Sequence, residues 1–545
     1  MNKFLKKMKS KDKGTNFMGG VSYTMNPLDT LKMVSASSIF GEPSYYRDGE
    51  FKGAAVQDGK YSVNPLFSGY SIIDDKEYSG MKTSEIMEKV IDEALDFDYE
   101  GTLRWAVVLR REYLMRLNPQ VIMVRACVHP QRTEFSKNNP GVFAKINQEV
   151  MSRADEPATQ LAYWLYKNEG KKKIPSILKR SWASKLSSLS RYELYKYKNA
   201  GLGIVDTVRI CHANSADIDE LMRTGTLTVG EDKQTWQSLR SSGETWAYII
   251  EKIEIPHMAL LRNLRGIFTE IDDLAVCQKM MAQLKSGVIK GKQFPFRYWS
   301  ALKAVTAAEV NHKPIILDAL EECMDIATAQ LPSLRGKTMC LSDNSGSAWG
   351  AFNSEYGMVT IAEIDNLSGV ITAKQSEEGY VGKFGDKLII SPVSKRNGVL
   401  SQCKELTKDG CNDVGGATEN GIWLFFDNAI QKKEHWDNIF IYSDQQAGHG
   451  RLYGTDSGRK DYSKKGFAAD RNIDVAKLIA AYRKLVNPKV NVFSIQTAGY
   501  TNVCLPEYGY RTNILYGWTG KELSFAKAMI DLWDEVEVKN LLRSC

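Results

Sequence analysis

Several protein classes are excluded by what the chain lacks. No apolar run approaches the ~18 residues of a membrane-spanning helix. The 15 prolines and 42 glycines follow no period, which excludes collagen-like and low-complexity chains. The opening MNKFLKKMKSKDKGTNF is basic but leads into no apolar stretch, so no secretory signal is expected. The nine cysteines (Cys127, Cys211, Cys277, Cys323, Cys340, Cys403, Cys411, Cys504 and Cys545) are odd in number and include no C-x-x-C pair. That predicts reduced thiols in a cytoplasmic protein, with neither disulfides nor a zinc site. What is present is ordinary for a globular chain: 545 residues, 43% apolar, with 11 Trp, 25 Tyr and 19 Phe as core material. At about 150 residues per domain, two to four domains are expected.

The net charge of +7 is unevenly spread. Residues 101–200 carry 19 basic against 7 acidic side chains, whereas residues 51–100 carry 5 against 11. A local excess of this size attracts polyanions, and phosphate contacts dominate nucleic-acid affinity. A solvated helical face would give the same count.

Two textures divide the chain. From about 80 to 330, apolar residues recur at three- and four-residue spacing, as in 84–97, 102–117, 118–128, 158–170, 216–225 and 257–268. In the last of these Leu260, Leu264, Ile267, Phe268 and Ile271 share one stripe. Short helices joined by short connections predict stacked helical hairpins of the HEAT-repeat kind. After about residue 335, short apolar runs (338–347, 387–393, 439–444, 491–498) alternate with helical stretches (421–433, 474–486, 522–536). That alternation predicts an α/β doubly wound, mostly parallel sheet. The domains are therefore 1–334 and 335–545.

The first strand of the second domain runs into Asp343-Asn344-Ser345-Gly346-Ser347. A carboxylate and two hydroxyls at a strand's carboxyl end make a hard oxygen site suited to Mg²⁺. Thr418 follows a glycine turn in DVGGAT, and Asp444 ends the later strand IFIYSD. Together Asp343, Ser345, Ser347, Thr418 and Asp444 resemble the metal-ion-dependent adhesion site of von Willebrand factor A domains. The competing reading is that Asp343 and the serines cap the next helix. No Lys or His stands beside this site as base or nucleophile, so it reads as ligand capture rather than catalysis. His449, in a later loop, is the one candidate base.

Residues 171–214 interleave cations with Trp182, Tyr192, Tyr195 and Tyr197. The cations include Lys171, Lys172, Lys173, Lys179, Arg180, Arg191, Lys196, Lys198 and Arg209, and His212 closes the segment. Cations neutralise phosphates while rings stack on unpaired bases, the chemistry of single-stranded RNA binding.

This segment resembles the core of the TROVE module of the Ro ribonucleoprotein autoantigen family. The resemblance rests on YKYK (195–198), on the spacing Gly203, Asp206, Arg209, His212, and on MALLRNLR (258–265). It extends to KPIILDALEECMDIA (313–327) and, near the start, to residues 19–47 with Tyr45-Tyr46. It implies a ring of HEAT-like helical repeats closed by a von Willebrand factor A-like domain. It also implies small non-coding Y-like RNAs on the outer surface and 3′ ends of misfolded RNA in the central hole. Lys196 and His212 match positions implicated in RNA contact. The expected protein is a non-catalytic, RNA-binding ribonucleoprotein, with a 3′ exoribonuclease as a possible partner and no membrane. A second reading is a Mg²⁺-dependent module that captures an acidic partner side chain. A metal-dependent nuclease is disfavoured, because such sites cluster more carboxylates or a base around their metals.

Overall fold

The computed structural model describes residues 13–15, 20–37, 56–57, 60–61, 83–168, 173–197, 204–230, 235–349, 351–354, 357–416, 421–445, 447, 473–497, 502–505, 509–517 and 520–544. Among these, eighteen helices run from Pro27–Ser37 to Lys313–Ala329. Their ends follow local chemistry. Asp98 caps Tyr99–Arg111 by accepting from the Gly101 N–H at 2.9 Å, and Asp273 and Ser215 cap Leu274–Ser286 and Ala216–Thr224 in the same way. The apolar stripe of His257–Glu270 faces inward as its spacing predicts: Leu260, Leu264, Ile267 and Phe268 are buried, and Ile271 just beyond them is too. Most helices pack on near neighbours in sequence, giving the stacked hairpins the spacing predicted.

The second texture becomes a six-stranded sheet. Its strands are β1 (Leu334–Asp343), β2 (Ser376–Phe384), β3 (Leu388–Pro392), β4 (Asn438–Ser443), β5 (Asn491–Gln496) and β6 (Thr512–Tyr516). Their order is β6-β5-β4-β1-β2-β3, and every pairing is parallel except that of the edge strand β3. The order reverses between β1 and β4, the position where open α/β sheets bind ligands at their carboxyl edge. Two strands were not apparent in the sequence. β2 reads SEEGYVGKF, with three charges and two glycines. A Cβ at Gly379 would run into the Ala373 carbonyl, so the glycine lets the helix Ile361–Gln375 lie close against the sheet. β6 is short and mixed in polarity.

The helices and the sheet form one closed circuit. At its late end, Glu321 of the last array helix accepts from the N–H groups of Leu400 and Ser401 at 2.7 and 2.8 Å. These are free donors at the start of the helix Val399–Thr407, where a carboxylate is stabilised. Lys303 reaches Glu363 at 2.7 Å, and Lys374 reaches Asp325 at 2.8 Å. At the early end, the Tyr113 hydroxyl donates to the Tyr516 carbonyl at 3.1 Å, and Glu112 pairs with Lys521. Val21–Thr24 also pairs antiparallel with Asn502–Val503. Between the two ends, Gly517 lies against Ala36 and Gly520 against Pro295. Both glycines have left-handed φ, +78° and +79°. Gly517 and Gly520 of the α/β domain therefore touch the first described helix and a late one.

His257 opens the MALLRNLR helix and faces inward. Its Nε2 lies 3.0 Å from the Tyr298 hydroxyl, and side chains at Gly287 or Gly291 would collide with its ring. Burial holds its pKa below the ordinary 6.5. Protonation is thus disfavoured in the fold, so stability should fall as pH drops below about 6.5. Melting temperature against pH should show that loss in the parent and a flatter profile in His257→Gln. Gly520→Val would need a left-handed valine and would strike Pro295. It should cost about 1–3 kcal/mol in urea unfolding followed by tryptophan fluorescence.

Candidate functional site

Four polar side chains meet at the switch point. Asp343 ends β1 fully buried. Its Oδ1 accepts from the Ser345 N–H at 2.9 Å and its Oδ2 from the Ser443 hydroxyl at 2.9 Å. The Ser345 and Ser347 hydroxyls are 3.0 Å apart, and Ser347 donates to Asp444 Oδ2 at 2.8 Å. Asp343, both serines and Asp444 therefore lie along one connected run of oxygens. The strand ends hold it in place. Gln445, just past Asp444, takes a left-handed φ of 62°, and its N–H donates to the Ser443 hydroxyl at 2.8 Å. Burial pushes the Asp343 carboxyl up, opposed by the hydrogen bonds it accepts.

The glycine turn that leads to Thr418 docks on the same loop. The Gly346 N–H donates to the Gly416 carbonyl at 2.9 Å, and the Lys387 N–H to the Val414 carbonyl at 2.8 Å. Lys383, buried on β2, anchors the turn through Asp413 at 2.8 Å. Thr418 itself lies outside the described residues, as does His449. The helix-cap alternative fails. The next helix begins only at Ile361 and carries its own capping box, Thr360 with Glu363.

The donor set is hard oxygen throughout, which fits Mg²⁺ or Mn²⁺. Among the described residues no three His, Cys, Asp or Glu side chains form a metal-holding group by themselves. Hydroxyls and water would have to complete the shell, as a hydrated Mg²⁺ requires.

The basic segment is built differently from its sequence picture. Trp182 is not a stacking ring: it is fully buried, its Nε1 donating to Gln160 at 2.8 Å. Arg191 is not a free cation either. It pairs with Asp217 and Glu220, both at 2.7 Å. Lys173, Arg180, Lys196, Arg209 and His212 are exposed, and Lys179 is half-buried. Lys196 Nζ sits 5.5 Å from the centre of the Tyr197 ring and 6.0 Å from that of Tyr192. The helices Ser176–Ser187 and Ile204–Cys211 pack together, bringing the Lys179 side of one towards the Arg209–His212 side of the other. His212 closes its helix in a left-handed conformation, φ 57°. Lys171, Lys172 and Lys198 lie outside the described residues.

Residues 231–335 match the TROVE domain family model. Comparison of the sequence with curated proteins finds no match. Among solved structures, the Ro (RSR) protein of Deinococcus radiodurans is similar at a TM-score of 0.53 and 13% identity, over 80% of this chain and 93% of that one. This chain carries a TROVE-like segment within a Ro-like fold. The matched segment runs from just before the helix Trp236–Ser241 into the first residues of β1, and it contains MALLRNLR. The fold of the Ro-like chain is a helical ring with a von Willebrand factor A-like α/β domain. No described helix is long and apolar enough to cross a membrane.

Sequence reasoning missed one acidic residue beside this oxygen cluster. Asp365 sits in the buried helix Ile361–Gln375, facing the switch point. The next residue, Asn366, locks that helix to the end of β1. It exchanges hydrogen bonds with Asn344 at 2.9 and 3.0 Å and accepts from the Ser342 hydroxyl at 2.7 Å. The available signal was the pair Asp365-Asn366 in an otherwise apolar helical run.

Proposed function

We propose that this Ro-like chain is a non-catalytic, RNA-binding ribonucleoprotein component. It binds Y-like small RNA on its basic face and takes up single-stranded 3′ ends of misfolded RNA. Its setting is cytoplasmic, with a 3′ exoribonuclease as a partner. The observation that carries the reading is the state of the basic segment. Lys173, Lys179, Arg180, Lys196, Arg209 and His212 form no ion pair with a described carboxylate, although Arg191 in the same segment is spent on two. Unneutralised cations set among tyrosine rings are available to phosphates, and their summed potential attracts a polyanion. The α/β domain adds a Mg²⁺ held by Asp343, Ser345, Ser347 and Asp444 together with Thr418.

The RNA reading is tested with a hairpin bearing a 3′ single-stranded tail, by fluorescence anisotropy over a salt series. Lys196→Ala and His212→Ala should bind more weakly while melting like the parent. Losing the Lys196 phosphate contact should flatten the log–log salt slope by roughly 0.7–0.9. Parent-like affinity and slope in both variants would refute the assignment. A blunt hairpin should compete less well than the tailed one.

The metal reading has its own measurement. Calorimetry should show one Mg²⁺ or Mn²⁺ bound by the parent and none by Asp343→Ala. Added metal should raise the melting temperature of the parent alone, because a ligand bound only to the folded state stabilises it by mass action.

A further inference from the structure

We propose that Asp365 and Thr497 form an outer shell of the metal centre, accepting hydrogen bonds from water bound to the cation held by Asp343, Ser345, Ser347 and Asp444. The D-x-S-x-S pattern contains neither residue. This rests on the metal reading above and extends it.

Asp365 is fully buried, and only the Thr497 hydroxyl approaches its carboxylate, without good hydrogen-bond geometry. Thr497, at the end of β5 and also fully buried, has no other polar partner for that hydroxyl. Thr497 is tied to the site through its backbone, its N–H donating to the Ser443 carbonyl at 3.2 Å. Asp365 faces Asp343 and Asp444 across the switch point. An unpaired buried carboxylate facing two others is costly and needs a compensating partner. A cation supplies the charge. Its waters supply the hydrogen bonds, because Mg²⁺ gives up water reluctantly and usually keeps several. Direct ligation by all three carboxylates is not the arrangement found, since no three acidic side chains form a metal-holding group. Acceptors at one remove from the ion orient its shell in the way outer groups do at other metal sites.

The added carboxylate changes what the centre can do. With three acidic side chains around it, a divalent charge is met from within the domain. An incoming carboxylate would meet a negative pocket, so the cation belongs to the fold and is poorly suited to capturing an acidic partner.

The test uses the full chain in three forms: parent, Asp343→Ala and Asp365→Asn. Each is titrated with MgCl₂ by calorimetry and melted in EDTA. Asp365→Asn should bind Mg²⁺ roughly 10–100-fold more weakly than the parent. In EDTA it should melt no lower than the parent, because an uncompensated charge has been replaced by a neutral isostere. Thr497→Val provides an independent variant and should also weaken binding. Parent-like Mg²⁺ affinity in both Asp365→Asn and Thr497→Val, with Asp343→Ala unable to bind, would overturn the outer-shell assignment and leave the metal reading standing. A lower melting point of Asp365→Asn in EDTA would also overturn it, since Asp365 would then support the fold without metal. Absence of Mg²⁺ binding by the parent would overturn the metal reading itself.

Discussion

The architecture depends on two closely spaced glycines. A stack of helical hairpins has two ends, and each exposes an apolar face that must be covered. Here both ends are covered by the same α/β domain. Gly517 and Gly520 bridge them, one glycine on Ala36 and the other on Pro295. Larger residues would hold the helices apart, and left-handed φ values at both positions make glycine the natural choice. The flanking contacts, Tyr113 to Tyr516 on one side and Glu321 to the Val399–Thr407 helix on the other, are polar and directional. They fix orientation, while the apolar interfaces supply most of the stability.

The second constraint is electrostatic and concentrated at the switch point. The sheet places β1 and β4 side by side, so Asp343 and Asp444 close on each other from separate segments. Most of the surrounding polar groups are satisfied internally: Asn344 and Asn366 pair reciprocally, and Ser443 serves both Asp343 and Gln445. Against that background the unsatisfied Asp365 and Thr497 stand out. The basic face shows a similar contrast, since Arg191 is neutralised by neighbours while the cations around it project into solvent.

Much of this was legible in the sequence because periodicity reports burial on one face. The helices Thr83–Phe97, Asn118–Val128 and His257–Glu270 were visible for that reason, and so were β1, β4 and β5 as near-continuous apolar runs. The elements that escaped are those whose burial is not periodic. The helix Ile361–Gln375 is buried on nearly every side and includes Asp365 and Asn366, so it shows no polar face. β2 trades strand-forming residues for glycines that allow close approach. At the switch point, the D-x-S-x-S loop was readable because its residues are consecutive. Asp365 and Thr497 were not, because folding alone brings them there. Trp182 shows the converse error: a ring among lysines looked like a base-stacking platform, yet its indole donates to a buried glutamine.

The pairing of Val21–Thr24 with Asn502–Val503 bears on how the molecule is made. As the chain leaves the ribosome, successive helices can pack in order, since each finds its neighbour within a few tens of residues. The strand Val21–Thr24 finds Lys13–Thr15 at once, but its other partner, Asn502–Val503, lies beyond the whole helical array, and Tyr113 likewise waits for a carbonyl 403 residues further on. Joining such distant points carries a large entropic cost and comes late. A nascent chain therefore stays an open arc, its two ends apart, until the second half of the α/β domain has been made.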